Sequence, residues 1–260
     1  MNSRQEKNLV KWFKDYVAEF ADRTGKLPPM LKLKLIHSRR VARNAADIAK
    51  DLGFKQEDIR AARTLGLLHD IARFIQFTRH QTFRDELSFN HGQHGAEIMK
   101  KCPALAVCPA RDRRRIIAGI RHHNRANLPP RLEPAALEFV KLARDADKLD
   151  IFFILYNSWK NGDLLRNPEI ALMVKLDGGI NPKALSEIKR KRTVSVANIK
   201  SLADFFLLLL SWVYDLNFHP SYQRLVRRSV IGKIAETLPP TPEIKKQISI
   251  AKKHAKKQLR

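Results

Sequence analysis

Apolar residues in this chain recur at helical spacing almost everywhere, and no segment alternates apolar with polar over the length of a strand. A half-buried strand has a period of two and a core-facing helix one of about 3.6 residues, so the pattern predicts an all-α fold without significant sheet. Leu9, Trp12, Phe13, Tyr16, Val17 and Phe20 mark a first amphipathic helix, ended by Gly25 and Pro28-Pro29. Val41, Ala45, Ile48, Ala49 and Leu52 share one face of a second, which starts at about Leu31 and stops at Gly53. A third begins after Gln56-Glu57-Asp58 and is apolar nearly all round through Ile75, the mark of a central, buried helix. Residues 76 to 91 break the periodicity and read as an ordered polar loop, while further helices fit 92 to 101, 112 to 123, 134 to 159 and 201 to 216.

A chain of 260 residues, 44% of them hydrophobic, can bury a sizeable core. The expected organisation is one helical domain over 1–237, with a core at about 30–160 and flanking helices packed on it, then a basic tail at 238–260. Within that tail Ile244, Ile248, Ala251 and Ala255 recur at helical spacing among lysines, which describes a basic amphipathic helix or a tail that becomes one on binding. The most apolar segment, Phe205 to Tyr214, lies between Asp204 and Asp215 and falls short of the ~20 residues needed to cross a bilayer. Cys102 and Cys108 have no second pair at zinc-site spacing, and nothing before them resembles a secretory signal. Structural thiols in a reducing, cytoplasmic location are expected. The net charge is +24, and residues 181–260 hold 17 Lys+Arg against 5 Asp+Glu, a net of +12. Such a field attracts nucleic acid, an anionic membrane surface or phosphorylated small molecules, and it also promotes solubility with no partner.

The segment Leu65-Gly66-Leu67-Leu68-His69-Asp70-Ile71-Ala72-Arg73-Phe74 sets an imidazole and a carboxylate inside an apolar run, where either is costly without a partner. Other helices add polar groups to apolar faces. His37 continues the stripe of Val41, Ala45 and Ile48. His123 follows Ile116 and Ile120 at helical spacing, with His122 about 100° off that line, and Asp147 falls on the stripe of Val140, Ala143, Ile151 and Ile154. Each alone has an ordinary explanation, as a hydrogen-bonded core histidine or a capping aspartate. Together, without a matching surplus of inward Lys or Arg, they suit a divalent metal, for which imidazole and carboxylate are ligands.

The order of these residues resembles the HD-domain superfamily of metal-dependent phosphohydrolases, whose mark is a His, an adjacent His-Asp and a distant Asp. Here these are His37, His69-Asp70 and Asp147. The resemblance covers residues 8 to 235. It extends to dinuclear members through two more histidine stations, His91 in Asn-His-Gly-Gln-His-Gly-Ala-Glu and the pair His122-His123. It is closest to bacterial HD-domain proteins that carry a Thr-Phe-x-Asp-x-x-Ser segment, Thr82 to Ser88 here, and an Asp-Lys-Leu-Asp segment. Ala72 stands where the superfamily has Gly, and the Gly-Tyr-Pro of cyclic dinucleotide phosphodiesterases is missing after His122-His123, which argues against that substrate.

The resemblance implies an all-α HD bundle holding two divalent transition metals, Mn, Fe, Co, Ni or Zn, because seven ligands exceed what one six-coordinate ion accepts with room for water and substrate. His37, His69, Asp70 and Asp147 would hold the first and Asp70, His91 and His123 the second, with His122 an extra ligand or an outer group. A hydroxide bridging two such ions would attack a phosphate mono- or diester of a nucleotide or similar small molecule. Asp70 is the pivotal catalytic residue, and Arg73, one turn on, is expected to contact the substrate phosphate, or else to pair with Asp147 or Asp150. The segment with Arg79, His80, Arg84 and Asp85 would either roof the site, Arg84 and Asp85 touching substrate, or be an ordinary surface loop. The same ligand order serves HD-type diiron oxygenases, and a non-catalytic nucleic-acid or nucleotide-binding protein is the third alternative.

Overall fold

The structure is a computed structural model and describes residues 1–260. It is all-α: there is no strand, and the nearest approach to one is an isolated bridge between Lys175 and Ser201. Two compact units divide the chain, residues 1–150 and 151–260. No helix is long and apolar enough to cross a membrane.

The first unit begins with α1 (Ser3–Ala18), opened by a capping box in which Asn2 and Gln5 satisfy each other's backbone N–H groups. Pro29 occupies the first turn of α2 (Pro29–Asp51), where its missing N–H costs nothing, and Gly53 follows the end of that helix at φ +76. Helix α3 (Gln56–Leu68) is the centre of the unit, with Ile59, Ala61, Ala62, Leu65 and Leu68 buried. It crosses α2 so closely that a Cβ at Gly66 would stand 2.8 Å from both the Ala42 Cα and the Val41 carbonyl oxygen. Gly119 of α7 (Ala110–His122) packs on Leu65 in the same way.

The third helix does not run on through Ile75 as expected. After Leu68 it passes into a tight turn in which the N–H of Ile71 donates to the Leu68 carbonyl and that of Arg73 to Asp70. Helix α4 (Ala72–His80) then carries on beyond residue 76, where a loop was expected. Three-residue spacing of the hydrogen bonds overwinds the chain here, and the His-Asp dipeptide sits in the overwound turn. The polar loop is therefore shorter, 81–90, with a single helical turn at Asp85–Leu87. Helix α5 (His91–Lys100) starts from an Asn90 cap, and Gly92 lets its first turn approach the end of α7, where a Cβ would lie 2.6 Å from Asn124 Oδ1. The short α6 (Pro103–Ala106) lies between Cys102 and Cys108, both free and buried. Helix α8 (Pro134–Lys160) runs through the division between the units.

The second unit holds α9 (Asp163–Arg166), α10 (Pro182–Lys189), α11 (Leu202–Ser211), α12 (His219–Arg227), α13 (Val230–Thr237) and α14 (Pro242–Lys257). Its core is α11, in which every residue from Phe205 to Leu210 is buried, behind a capping box of Ser201 and Asp204. Residues 242–257 form a regular helix that buries Ile244, Gln247, Ala251 and Ala255 against α12 and α13.

Candidate metal centre

Four helices and one turn of the first unit deliver polar side chains to a single buried point. Helix α2 brings His37, the α3–α4 turn brings His69 and Asp70, the first residue of α5 is His91, the end of α7 gives His123, and α8 gives Asp147. His37, His69, Asp70, His91 and His123 are all at most 5% exposed.

The two oxygens of Asp70 face different partners. Oδ2 lies 3.6 Å from His37 Nε2 and 3.7 Å from His69 Nε2, while Oδ1 lies 3.5 Å from His91 Nε2 and 3.7 Å from His123 Nε2. Asp147 joins the first pair, with Oδ1 at 3.1 Å from His37 Nε2 and 3.6 Å from His69 Nε2. Ligand atoms of His37, His69 and Asp70, of Asp70, His91 and His123, and of His69, His123 and Asp147 form three groups compact enough to hold an ion.

The far side of each ring is anchored. Nδ1 of His69 lies 2.8 Å from the Gly66 carbonyl and Nδ1 of His123 lies 2.8 Å from the Ile120 carbonyl. A carbonyl only accepts, so both rings carry their proton on Nδ1 and, when neutral, turn the bare Nε2 lone pair inward. His37 Nδ1 is 2.7 Å from Asp150 and His91 Nδ1 is 2.8 Å from Asp85, the carboxylate partnership usual behind metal-binding imidazoles. The consequence is two close Nε2 pairs, His37 with His69 at 3.2 Å and His91 with His123 at 3.1 Å. A pocket of imidazole nitrogens and carboxylate oxygens at such distances needs protons or cations among them, and this donor set fits divalent transition metals.

Electrostatics follow the same division. Burial opposes ionisation of Asp70, but Lys34 foremost, then His69, His123 and Arg73, hold its carboxyl well below the usual range. Asp147 is held low against burial by His37 and His69. Burial disfavours a charged His37, yet its hydrogen bonds to Asp147 and Asp150 prevail and raise its pKa. Burial and then Arg73 push His91 down to about 3, which leaves it neutral and ready to ligate.

Six of the seven expected ligands thus converge, and His122 does not. It is buried on the other side of α7, its Nδ1 has no hydrogen-bond partner, and it lines a shallow groove with Lys100, Arg113, Arg114 and Arg121. Arg73 stands beside the cluster, Nε at 3.4 Å from Asp70 Oδ1, while its Nη1 donates to Gln76, to the Phe83 carbonyl and to Asp85. Neither Asp147 nor Asp150 is its partner. Asp85 is engaged by His91, Arg73, Gln76 and Asn124. Arg84 is half-buried and lies 3.9 Å from Glu86, and Arg79 and His80 are exposed at the end of α4.

Sequence reasoning missed Lys34, whose ammonium lies 2.8 Å from Asp70 Oδ2 and 4.9 Å from the centre of the Phe83 ring. Its signal was present, since Lys34 precedes His37 by three residues and shares its face. The positioning role of Asp150 was also missed, though it follows Asp147 by one turn; it binds Arg40 as well as His37. The HD domain family matches residues 35–151. No curated protein and no solved structure matches the chain. The matched span runs from α2 into α8 and contains all six converging side chains, so residues 35–151 of this chain are an HD domain.

Proposed function

We propose that this chain is a two-metal phosphohydrolase that cleaves a phosphate mono- or diester of a nucleotide or similar small molecule. The HD domain supports metal-dependent hydrolase-type activity at the level of the superfamily. The observation that carries the finer reading is the orientation of Asp70, one oxygen towards His37 and His69 and the other towards His91 and His123. One ion would be held by His37, His69, Asp70 and Asp147, a second by Asp70, His91 and His123. Bound there, such ions supply Lewis acidity for phosphoryl oxygens and an activated water.

The remaining residues bind, orient and exclude solvent. Asp150, Asp85 and the carbonyls of Gly66 and Ile120 fix the four imidazoles so that Nε2 is the only free nitrogen of each. Lys34 and Arg73 are the cations nearest Asp70, both part-buried, and both are placed to take a phosphoryl oxygen. Lys34 holds Oδ2 of Asp70, so its ammonium becomes available to a phosphate when that oxygen is otherwise engaged. Release of phosphate or alcohol from a panel of nucleotides and chromogenic phosphate mono- and diesters, with Mn, Fe, Co, Ni or Zn added, tests the proposal. Turnover by the parent chain and none by Asp70→Ala is the expected result. Absence of turnover from protein with proven full metal loading would overturn it, and oxygen consumption by iron-loaded protein would replace it with an oxygenase.

A further inference from the structure

The second unit gathers two basic segments that lie more than fifty residues apart in sequence. The buried residues Ile244, Gln247, Ala251 and Ala255 define the inner side of α14. At about 100° per residue, Lys245, Lys252 and Lys256 form one row and Lys246, Lys253 and Lys257 a second, about 100° round from it. The line midway between the rows is directly opposite the buried stripe and carries Ser249. All six lysines are exposed. With a rise of about 1.5 Å per residue the first row spans about 16 Å.

The run Lys189-Arg190-Lys191-Arg192 is exposed throughout and reaches α14 through Lys189. Lys189 at the end of α10 pairs with Glu243, the only acidic residue of α14. Burial, then the charges of Lys191 and Lys257, hold the His254 imidazole below its usual range. The turn is locked: the N–H groups of Lys191 and Arg192 donate back to the Ile188 and Glu187 carbonyls, with Lys191 at φ +55. A left-handed position of this kind favours Gly, and here it holds a lysine.

We infer that the outer face of α14 together with Lys189–Arg192 is a binding surface for the phosphate backbone of duplex DNA. Two rows of lysine on either side of a narrow polar crest suit a helix lying in a groove about 12 Å wide with a phosphate strand along each edge. The deep, narrow major groove of duplex RNA does not admit a helix. No aromatic residue lies between the rows, so single strands find no stacking platform. A helix that lies in a membrane interface presents Trp, Phe or Leu to the lipid, and α14 exposes none: Ile244 is buried and Ile248 and Ile250 are half-buried.

Anisotropy of a labelled random-sequence DNA duplex titrated with the full chain across a series of salt concentrations tests this. The triple variant Lys246→Gln, Lys253→Gln, Lys257→Gln is compared with a control, Lys7→Gln, Lys26→Gln, Lys50→Gln, which removes the same charge from exposed positions of the first unit. Loss of three phosphate contacts lowers the slope of log K against log salt by about 2.7, several-hundred-fold in affinity at about 0.1 M salt. The control should bind like the parent, and helicity and metal content should be unchanged in both. Equal losses in the two variants would overturn the proposal in favour of net charge alone. Tighter binding to duplex RNA, to a single strand or to phosphatidylserine vesicles would overturn it in favour of that partner.

Discussion

Replacing Gly66 by Ala tests how the helix crossing sets the metal centre. Two effects of opposite sign compete. Alanine in a helix interior is favoured over glycine by about 0.8–1.0 kcal/mol. Against this, the new methyl group would lie 2.8 Å from the Ala42 Cα and from the Val41 carbonyl oxygen, and both are backbone atoms of α2. Relieving that contact requires α2 and α3 to separate by several tenths of an ångström, and such overpacking costs about 1–3 kcal/mol, the upper end where no side chain can swing away. The net expectation is a loss of about 2 kcal/mol, or about 4–8 °C in Tm for a chain of this size. Separation also moves His37 on α2 from His69, now 3.2 Å away. Thermal unfolding with a chelator present reads the packing term, and the rise in Tm on adding metal reads the site. Gly66→Ala melting within a degree of the parent, with an unchanged metal shift, would refute the link between crossing and centre.

The anchoring carboxylates should act on different ions. Asp150→Asn is expected to weaken one ion about 10–100-fold through His37, and Asp85→Asn the other through His91; competitive titration with a fluorescent chelator reads each, and identical effects on both ions would contradict the division at Asp70. Lys34→Ala removes the ammonium on Asp70 and should raise KM for a phosphoester more than it lowers kcat, with full metal loading retained. Asp58 supplies a pH test away from the centre: burial opposes its ionisation, but Arg115 and then Arg111 hold its carboxyl below the usual range. A lowered carboxyl pKa contributes stability that is present above about pH 4 and lost as the pH falls through the folded value. Asp58→Asn should therefore lower Tm at neutral pH and converge on the parent in acid, and a gap that widens in acid would show the sign to be wrong.

Helical class was legible because periodicity reports which face of a helix is buried, whatever lies opposite. The inward direction of His37 and Asp147 could be read from that stripe alone, as could the offset of His122 from the line through Ile116, Ile120 and His123, and the structure puts His122 on the far side of α7. The break at His69-Asp70 was hidden because an overwound turn keeps both flanking segments apolar and helical, so no periodicity is lost. Helix α4 was cut short by its polar residues for a related reason: Gln76 is fully buried, and its amide is satisfied by Asp85, Ser88 and the Phe89 carbonyl rather than by water. Lys34 escaped notice because a lysine near the start of a helix reads as solvated. The carboxylate that attracts it comes from a segment 36 residues away.

Metal content per chain, measured by elemental analysis on the parent and on Asp70→Ala after reconstitution and removal of free ions, tests the central claim most directly. With one carboxylate oxygen on each histidine pair, the parent should hold two divalent ions and the variant should lose both or retain one weakly. Two ions bound equally tightly by Asp70→Ala, or none by the parent, would contradict a centre built around this aspartate.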